Sequence, residues 1–237
     1  MFNLIEKENV NVRRLLAGRV LTNIADSLFY MAILWFFKVR FNSPVILSLI
    51  FIADSSIDML SFTLGPLIDR IYIKKMLKIV TVVQIVTSVI ATLLFQAKLW
   101  QNLTIWFLLA IYVISTIGST LIYPAEEKIL PVIVSKTKLA KVNGVFQMTY
   151  KTLDLFLNAA ATLLITWVSL DFTVIIYAVF FAGALAFYTK LILPRKLLLP
   201  ESTSEYFTEN YWQDLLKGWQ TLKQEDKIAR LIMPFAV

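Results

Sequence analysis

Cysteine and histidine are both absent from the 237 residues of this chain. Without thiols there is no disulfide and no thiolate metal site. Without imidazole the commonest metal ligand is missing, together with the side chain best suited to moving protons near neutral pH. Proton chemistry must therefore rest on carboxylates, and Asp and Glu together number only 16. Charge as a whole is scarce, at 16% of residues against about 25% in a typical soluble domain. Motifs of enzymatic chemistry are missing too: there is no phosphate-binding Walker loop, no zinc-ligand spacing and no Gly-x-Ser-x-Gly elbow. Asp54 and Asp58 share one helix, which leaves no room for a scissile bond between them, so an enzyme is not expected. The N-terminus does not read as a cleavable signal either, because its apolar run is too long and no small-residue cleavage pattern comes after it.

Hydrophobic residues fill that gap, at 58% of the chain, with a mean hydropathy of +0.71. They fall into six runs, 15–37, 45–67, 76–95, 103–123, 142–168 and 172–193, and a seventh opens at Ile228. Runs near 20 residues predict helices that cross a bilayer, since each must satisfy its own backbone hydrogen bonds in lipid. The net charge of +7 has the same rhythm. Lysines and arginines in the N-terminal arm, the second and fourth connections and the segment after the sixth run number seventeen, against three on the opposite side. That asymmetry predicts a cytoplasmic N-terminus and accounts for the basic balance without nucleic acid. The segment 194–227 is the only long polar stretch: "PRKLLLPESTSE" reads as a linker. Ser202 and Glu205 have capping-box spacing, and Trp212, Leu215, Leu216, Trp219 and Leu222 recur as on an amphipathic helix, either at the cytoplasmic membrane face or packed against the protein itself.

Ionisable groups inside apolar spans are costly and mark function by default. Arg19, Asn23, Asp26 and Tyr30 fall within roughly 60° of one another on the first span. They predict a mid-span carboxylate facing a cavity, able to take a proton or a cationic substrate; the structural alternative is an Arg19–Asp26 pair. In the second span Asp54, Asp58, Ser61 and Gly65 share a face, and two carboxylates one turn apart suit proton binding. Gln147, Lys151, Asp154 and Asn158 form a third polar face. There, mutual neutralisation of Lys151 and Asp154 is expected, with cavity lining as the alternative. "ISTIGST" in the fourth span reads as a close-packing surface.

One short segment points further. "GPLIDRIYIKK" ends the second span with Gly65, continues with Asp69 and Arg70, and closes with Lys74 and Lys75. It resembles the loop motif of the major facilitator superfamily, although Tyr72 stands near the place of that motif's second glycine. "YPAEEKILPVIVSKTKLAKVNGVFQ" is similar to the fourth connection of macrolide-efflux-type exporters at Pro124, Leu130, Pro131, Leu139, Ala140, Asn143 and Gln147. "DLLKGWQTLKQEDKIARLIM" is similar to the same branch's approach to its seventh helix. The resemblance implies an all-α membrane protein of about twelve helices in two six-helix halves, each a 3+3 inverted repeat. This chain would supply the N-terminal half: an arm at 1–14, six spans at 15–193, a cytoplasmic linker with an amphipathic helix at 194–227, and the start of a seventh helix at 228–237. It further implies a drug:proton antiporter of the cell membrane, with a hydrophobic, macrolide-like substrate, protons as coupling ion, no cofactor, and a C-terminal half or second chain as partner. In such exporters Asp69 and Arg70 would latch the halves, Asp69 at a helix end and Arg70 on an acidic partner. The competing expectation is a truncated, non-transporting remnant or an accessory membrane protein.

Overall fold

A computed structural model describes residues 10–96, 101–167, 170–193 and 211–224. Eight α-helices account for nearly all of them: α1 (Val10–Phe41), α2 (Pro44–Leu60), α3 (Gly65–Arg70), α4 (Ile73–Gln96), α5 (Gln101–Ile133), α6 (Lys136–Trp167), α7 (Leu170–Thr189) and α8 (Tyr211–Gln224). A 3-10 turn, Ser61–Leu64, links α2 to α3, and there is no strand among the described residues. Within α1, α4 and α5, the segments Val10–Phe41, Ile73–Gln96 and Leu103–Ile133 are each long and apolar enough to cross a bilayer. The fold is that of an all-helical, membrane-embedded chain.

Local chemistry sets the breaks. Asn42 adopts φ 45°, the left-handed conformation that asparagine tolerates better than most residues, and its N–H closes α1 on the Lys38 carbonyl at 3.1 Å. Ser43 is then extended and Pro44 opens α2, as proline does at a first helical position. The second apolar run is not one helix, as expected from hydropathy, but stops at Leu60 and re-forms as α3. Beyond α3 the chain turns through Ile71, extended at φ −113°. No residue of that turn needs positive φ, so Tyr72 fits there without backbone strain. The fourth connection also differs from expectation. Helix α5 runs through Pro124 and Pro131 to Ile133, leaving Val134 and Ser135 before α6. Each proline removes only one helical hydrogen bond, and such losses are tolerated in membrane helices where neighbours compensate.

Contacts between helices fix their directions. Along α1 and α5, Arg19 meets Glu126, Asp26 meets Ser119, and Tyr30 meets Tyr112, so the two run antiparallel. Phe29 packs edge-on against Tyr177, and Gly18 lies under Tyr188, so α7 is antiparallel to α1 as well. Lys74 donates to the Leu191 carbonyl and Tyr177 to that of Ser88, which sets α4 antiparallel to α7. Helix α6 accompanies α1 in parallel, with Tyr150 at Arg19 and Asp154 at Asn23. Exchanging α1, α2 and α4 in order for α5, α6 and α7 carries the main packings onto each other. The α1–α7 packing becomes α5–α4, and α1–α6 becomes α5–α2, while α1–α5 and α4–α7 map onto themselves.

Two apolar clusters hold the bundle. One gathers Leu15, Leu77, Ile122, Ile129, Tyr188 and Leu191; the other gathers Phe29, Phe37, Ile50, Leu108, Tyr177 and Phe181. The outward faces stay apolar, with Phe51, Trp106, Phe107, Phe156 and Val179 all exposed. Cations and amides from α1 and α4 close the end of α7: Arg14 and Lys74 donate to the Lys190 and Leu191 carbonyls, and Asn11 exchanges two hydrogen bonds with Ile192. Carbonyls at a helix C-terminus favour such partners. The expected amphipathic helix is present as α8, whose Tyr211 hydroxyl donates to the Thr63 carbonyl, while Trp212 and Leu216 are exposed. The Ser202–Glu205 capping box, the side chains of Trp219 and Leu222, and the run from Ile228 lie outside the described residues.

Candidate functional site

Between the two apolar clusters α1, α2, α5 and α6 surround a cavity of about 370 Å³. Its lining combines three carboxylates, Asp26, Asp54 and Asp154, with the rings of Phe29, Tyr30 and Tyr112 and the hydroxyls of Ser27, Ser115, Thr116 and Ser119. Asp26 is the best-held of the acids. Its Oδ1 accepts from Ser119 Oγ at 2.8 Å and from Gln84 Nε2 at 3.0 Å, and Gln84 Nε2 also reaches Ser119 Oγ at 2.9 Å. Gln84 is fully buried, and it brings α4 into a site that α4 does not line. Tyr112 donates to Asp54 Oδ1 at 2.8 Å, and Asn23 donates to Asp154 Oδ1 at 3.4 Å. Among the described residues, every hydrogen-bond donor on these three carboxylates is therefore neutral.

The one stripe predicted on α1 is divided between two sites. Asp26 and Tyr30 line the cavity, and Asn23 is buried beside it. Arg19 turns away, pairing through Nε with Glu126 Oε2 at 3.7 Å and lying 5.5 Å from the Tyr150 ring centroid. The alternative Arg19–Asp26 pair does not form, because seven residues along one helix separate the two by about 10 Å. Asp54 lines the cavity, whereas Asp58 is exposed and stands apart from it. On α6, Asp154 is the one residue with a described side chain that reaches the cavity, and the side chain of Asn158 lies outside the described residues. Lys151 is exposed and makes no ion pair with Asp154, and half-buried Gln147 does not contribute to the lining. The expected Lys151–Asp154 neutralisation is thus replaced by the Asn23–Asp154 hydrogen bond.

In the loop motif, Gly65 opens α3, with nothing within 4 Å of an added Cβ. Lys74 is held on the Leu191 carbonyl and Lys75 is exposed. The side chains of Asp69 and Arg70 lie outside the described residues. Gln84, Ser119, Tyr112 and Glu126 were not predicted as site residues. Gln84 carried a usable signal, as a lone amide in the middle of an apolar run. No group of three or more acidic residues is placed to hold a metal ion among the described residues.

Gln84→Leu is expected to lower stability by about 1–3 kcal/mol, since it strips two hydrogen bonds and leaves Ser119 as the remaining donor to Asp26. Thermal unfolding in detergent checks this, and Ser119→Ala should cost less. No family model, curated protein or solved structure matches the chain.

Proposed function

We propose that the chain is the N-terminal six-helix half of a secondary active exporter, a drug:proton antiporter of the major facilitator type in a bacterial plasma membrane. The observation that carries this reading is Asp26, a mid-helix carboxylate held by Gln84 and Ser119 at the wall of a cavity. An acid with neutral donors only, rather than a fixed cation, can gain and lose a proton without breaking an ion pair. Asp54 and Asp154 across the same space offer a cationic or protonatable substrate further negative charge, and Phe29, Tyr30 and Tyr112 offer it apolar contact. A cavity of 370 Å³ would be one wall's share of a path completed by a second half. Alternating helix directions and the exchange symmetry of the packing support six spans arranged as an inverted 3+3 repeat.

Transport works by proton exchange at Asp26: proton binding there releases substrate on one side, and proton loss readmits it on the other. The test is efflux of a labelled hydrophobic compound, such as a macrolide, from proteoliposomes holding this chain together with a C-terminal half or second chain that completes the path. With an imposed pH gradient, Asp26→Asn should lower gradient-driven efflux by about tenfold while leaving substrate exchange without a gradient intact. Asp58→Asn, outside the cavity, should change little. Gradient-driven efflux undiminished in Asp26→Asn would overturn the assignment.

A further inference from the structure

At the start of α4, away from the carboxylate cavity, lies a surface hollow of about 650 Å³ lined by Tyr72, Lys74, Lys75, Lys78 and Ile79. Among the described residues, three cations and no acid line it. Lys74 has one N–H committed to the Leu191 carbonyl, while Lys75 and Lys78 are exposed one turn apart. Like charges at this spacing repel, and they sit in the first two turns of a helix, where the macrodipole is itself positive. Among the described residues no lining group offsets that positive potential, and an anion would relieve it.

Further along the same face of α4, an apolar strip narrows the choice of anion. Ile79, Val82, Val86 and Val89 step by three, four and three residues, and all are left uncovered, at 45–49% exposure. From Ile79 to Val89 the strip is about 15 Å long, half of the roughly 30 Å hydrocarbon core. A cationic hollow continuing into an apolar strip one leaflet deep matches a phospholipid with a negative headgroup. Free phosphate would use only the hollow, and a zwitterionic headgroup would bring its own ammonium against the lysines.

We infer that the outer face of α4 binds an anionic phospholipid, with its phosphate between Lys75 and Lys78 and an acyl chain along Ile79, Val82, Val86 and Val89. This site is independent of the transport reading, since it needs only the membrane.

The test uses the full chain reconstituted in phosphatidylcholine vesicles containing trace spin-labelled phosphatidylglycerol or phosphatidylcholine, with the motionally restricted fraction read by electron paramagnetic resonance. Phosphatidylglycerol should be preferred, and Lys75→Gln with Lys78→Gln should cut that preference by about fivefold. Lys75→Arg with Lys78→Arg should preserve it. Lys136→Gln with Lys141→Gln, which removes two exposed cations from the start of α6, should leave it unchanged. Equal binding of the two lipids would overturn the inference, as would an equal loss from the α6 pair, which would mean general surface charge. Displacement of the labelled lipid by millimolar inorganic phosphate would also overturn it, by showing a phosphate site that does not need the lipid. Should the double glutamine variant fail to fold, Lys78→Gln alone, expected to lose about half as much on a logarithmic scale, decides the same question.

Discussion

Glu126→Ala is expected to destabilise the fold by about 3–5 kcal/mol, while replacing Arg19 and Glu126 together by methionines should cost far less. The two side chains are 13% and 4% exposed, and they meet at 3.7 Å between α1 and α5. Removing the carboxylate strands a buried guanidinium that keeps the Tyr150 ring, 5.5 Å away, and the more distant Asp26 and Asp154 carboxylates, but no ion-pair partner among the described residues. The pair itself is poorly satisfied: among the described residues neither Arg19 Nε nor Glu126 Oε1 has a hydrogen-bond partner, and the buried Tyr188 hydroxyl nearby has none either. An ion pair of that quality does not recover the cost of desolvating its charges, so a well-packed apolar pair of similar volume should come close to wild type. Reference states inside a membrane also find partners for stranded groups, which places the single variant at the lower end of the range. A double-mutant cycle from thermal unfolding in detergent gives the answer. Equal destabilisation in Glu126→Ala and the double methionine variant would mean that packing, not charge, holds the site.

Gly18→Ala should destabilise by about 1–3 kcal/mol despite alanine's advantage in a helix. A Cβ at Gly18 would lie 2.9 Å from both Cδ1 and Cζ of Tyr188, and nearer still to Cε1. Tyr188 is fully buried in the cluster with Leu15 and Leu191, so its ring has nowhere to retreat without displacing them. Gly118 and Gly183 offer a graded comparison. A Cβ there meets a methyl of Val80 or Leu21 at 3.2 Å, and aliphatic side chains can yield by a few tenths of an ångström. Gly144, with nothing within 4 Å, should gain about 1 kcal/mol as alanine through helix propensity alone. Unfolding midpoints should therefore rank Gly144→Ala above wild type and Gly18→Ala lowest. Any order in which Gly18→Ala matches Gly118→Ala would contradict close α1–α7 packing at this position.

The sequence made the helices easier to read than their ends or partners. Apolar runs located the helices because burial in lipid demands long stretches without charge, and α1, α4 and α7 match closely. The α2 break at Ser61 was hidden because a 3-10 turn continuing into another short helix leaves hydropathy unchanged. At α5 the error had the opposite cause: Pro124, Glu126, Glu127 and Lys128 carry the marks of a loop, yet Glu126 is 3% exposed inside the bundle. The stripe from Arg19 to Tyr30 was visible since its members share one helix. Their partners were not, because hydrogen bonds between helices depend on which faces meet. Ser119 illustrates the point: "ISTIGST" does contain a packing glycine, but the serine after it donates to Asp26. Pairing preferences among single residues do not encode that contact.

The three meetings of α1 with α5, at Arg19–Glu126, Asp26–Ser119 and Tyr30–Tyr112, have a mechanical consequence. They work like teeth spaced along two racks facing opposite ways. Sliding one helix past the other by a single turn, about 5.4 Å, would disengage all three at once and leave two buried charges bare. Small tilts keep them engaged. Piston-like movement of α1 against α5 is thus a costly displacement, and tilts small enough to keep the three pairs engaged cost less.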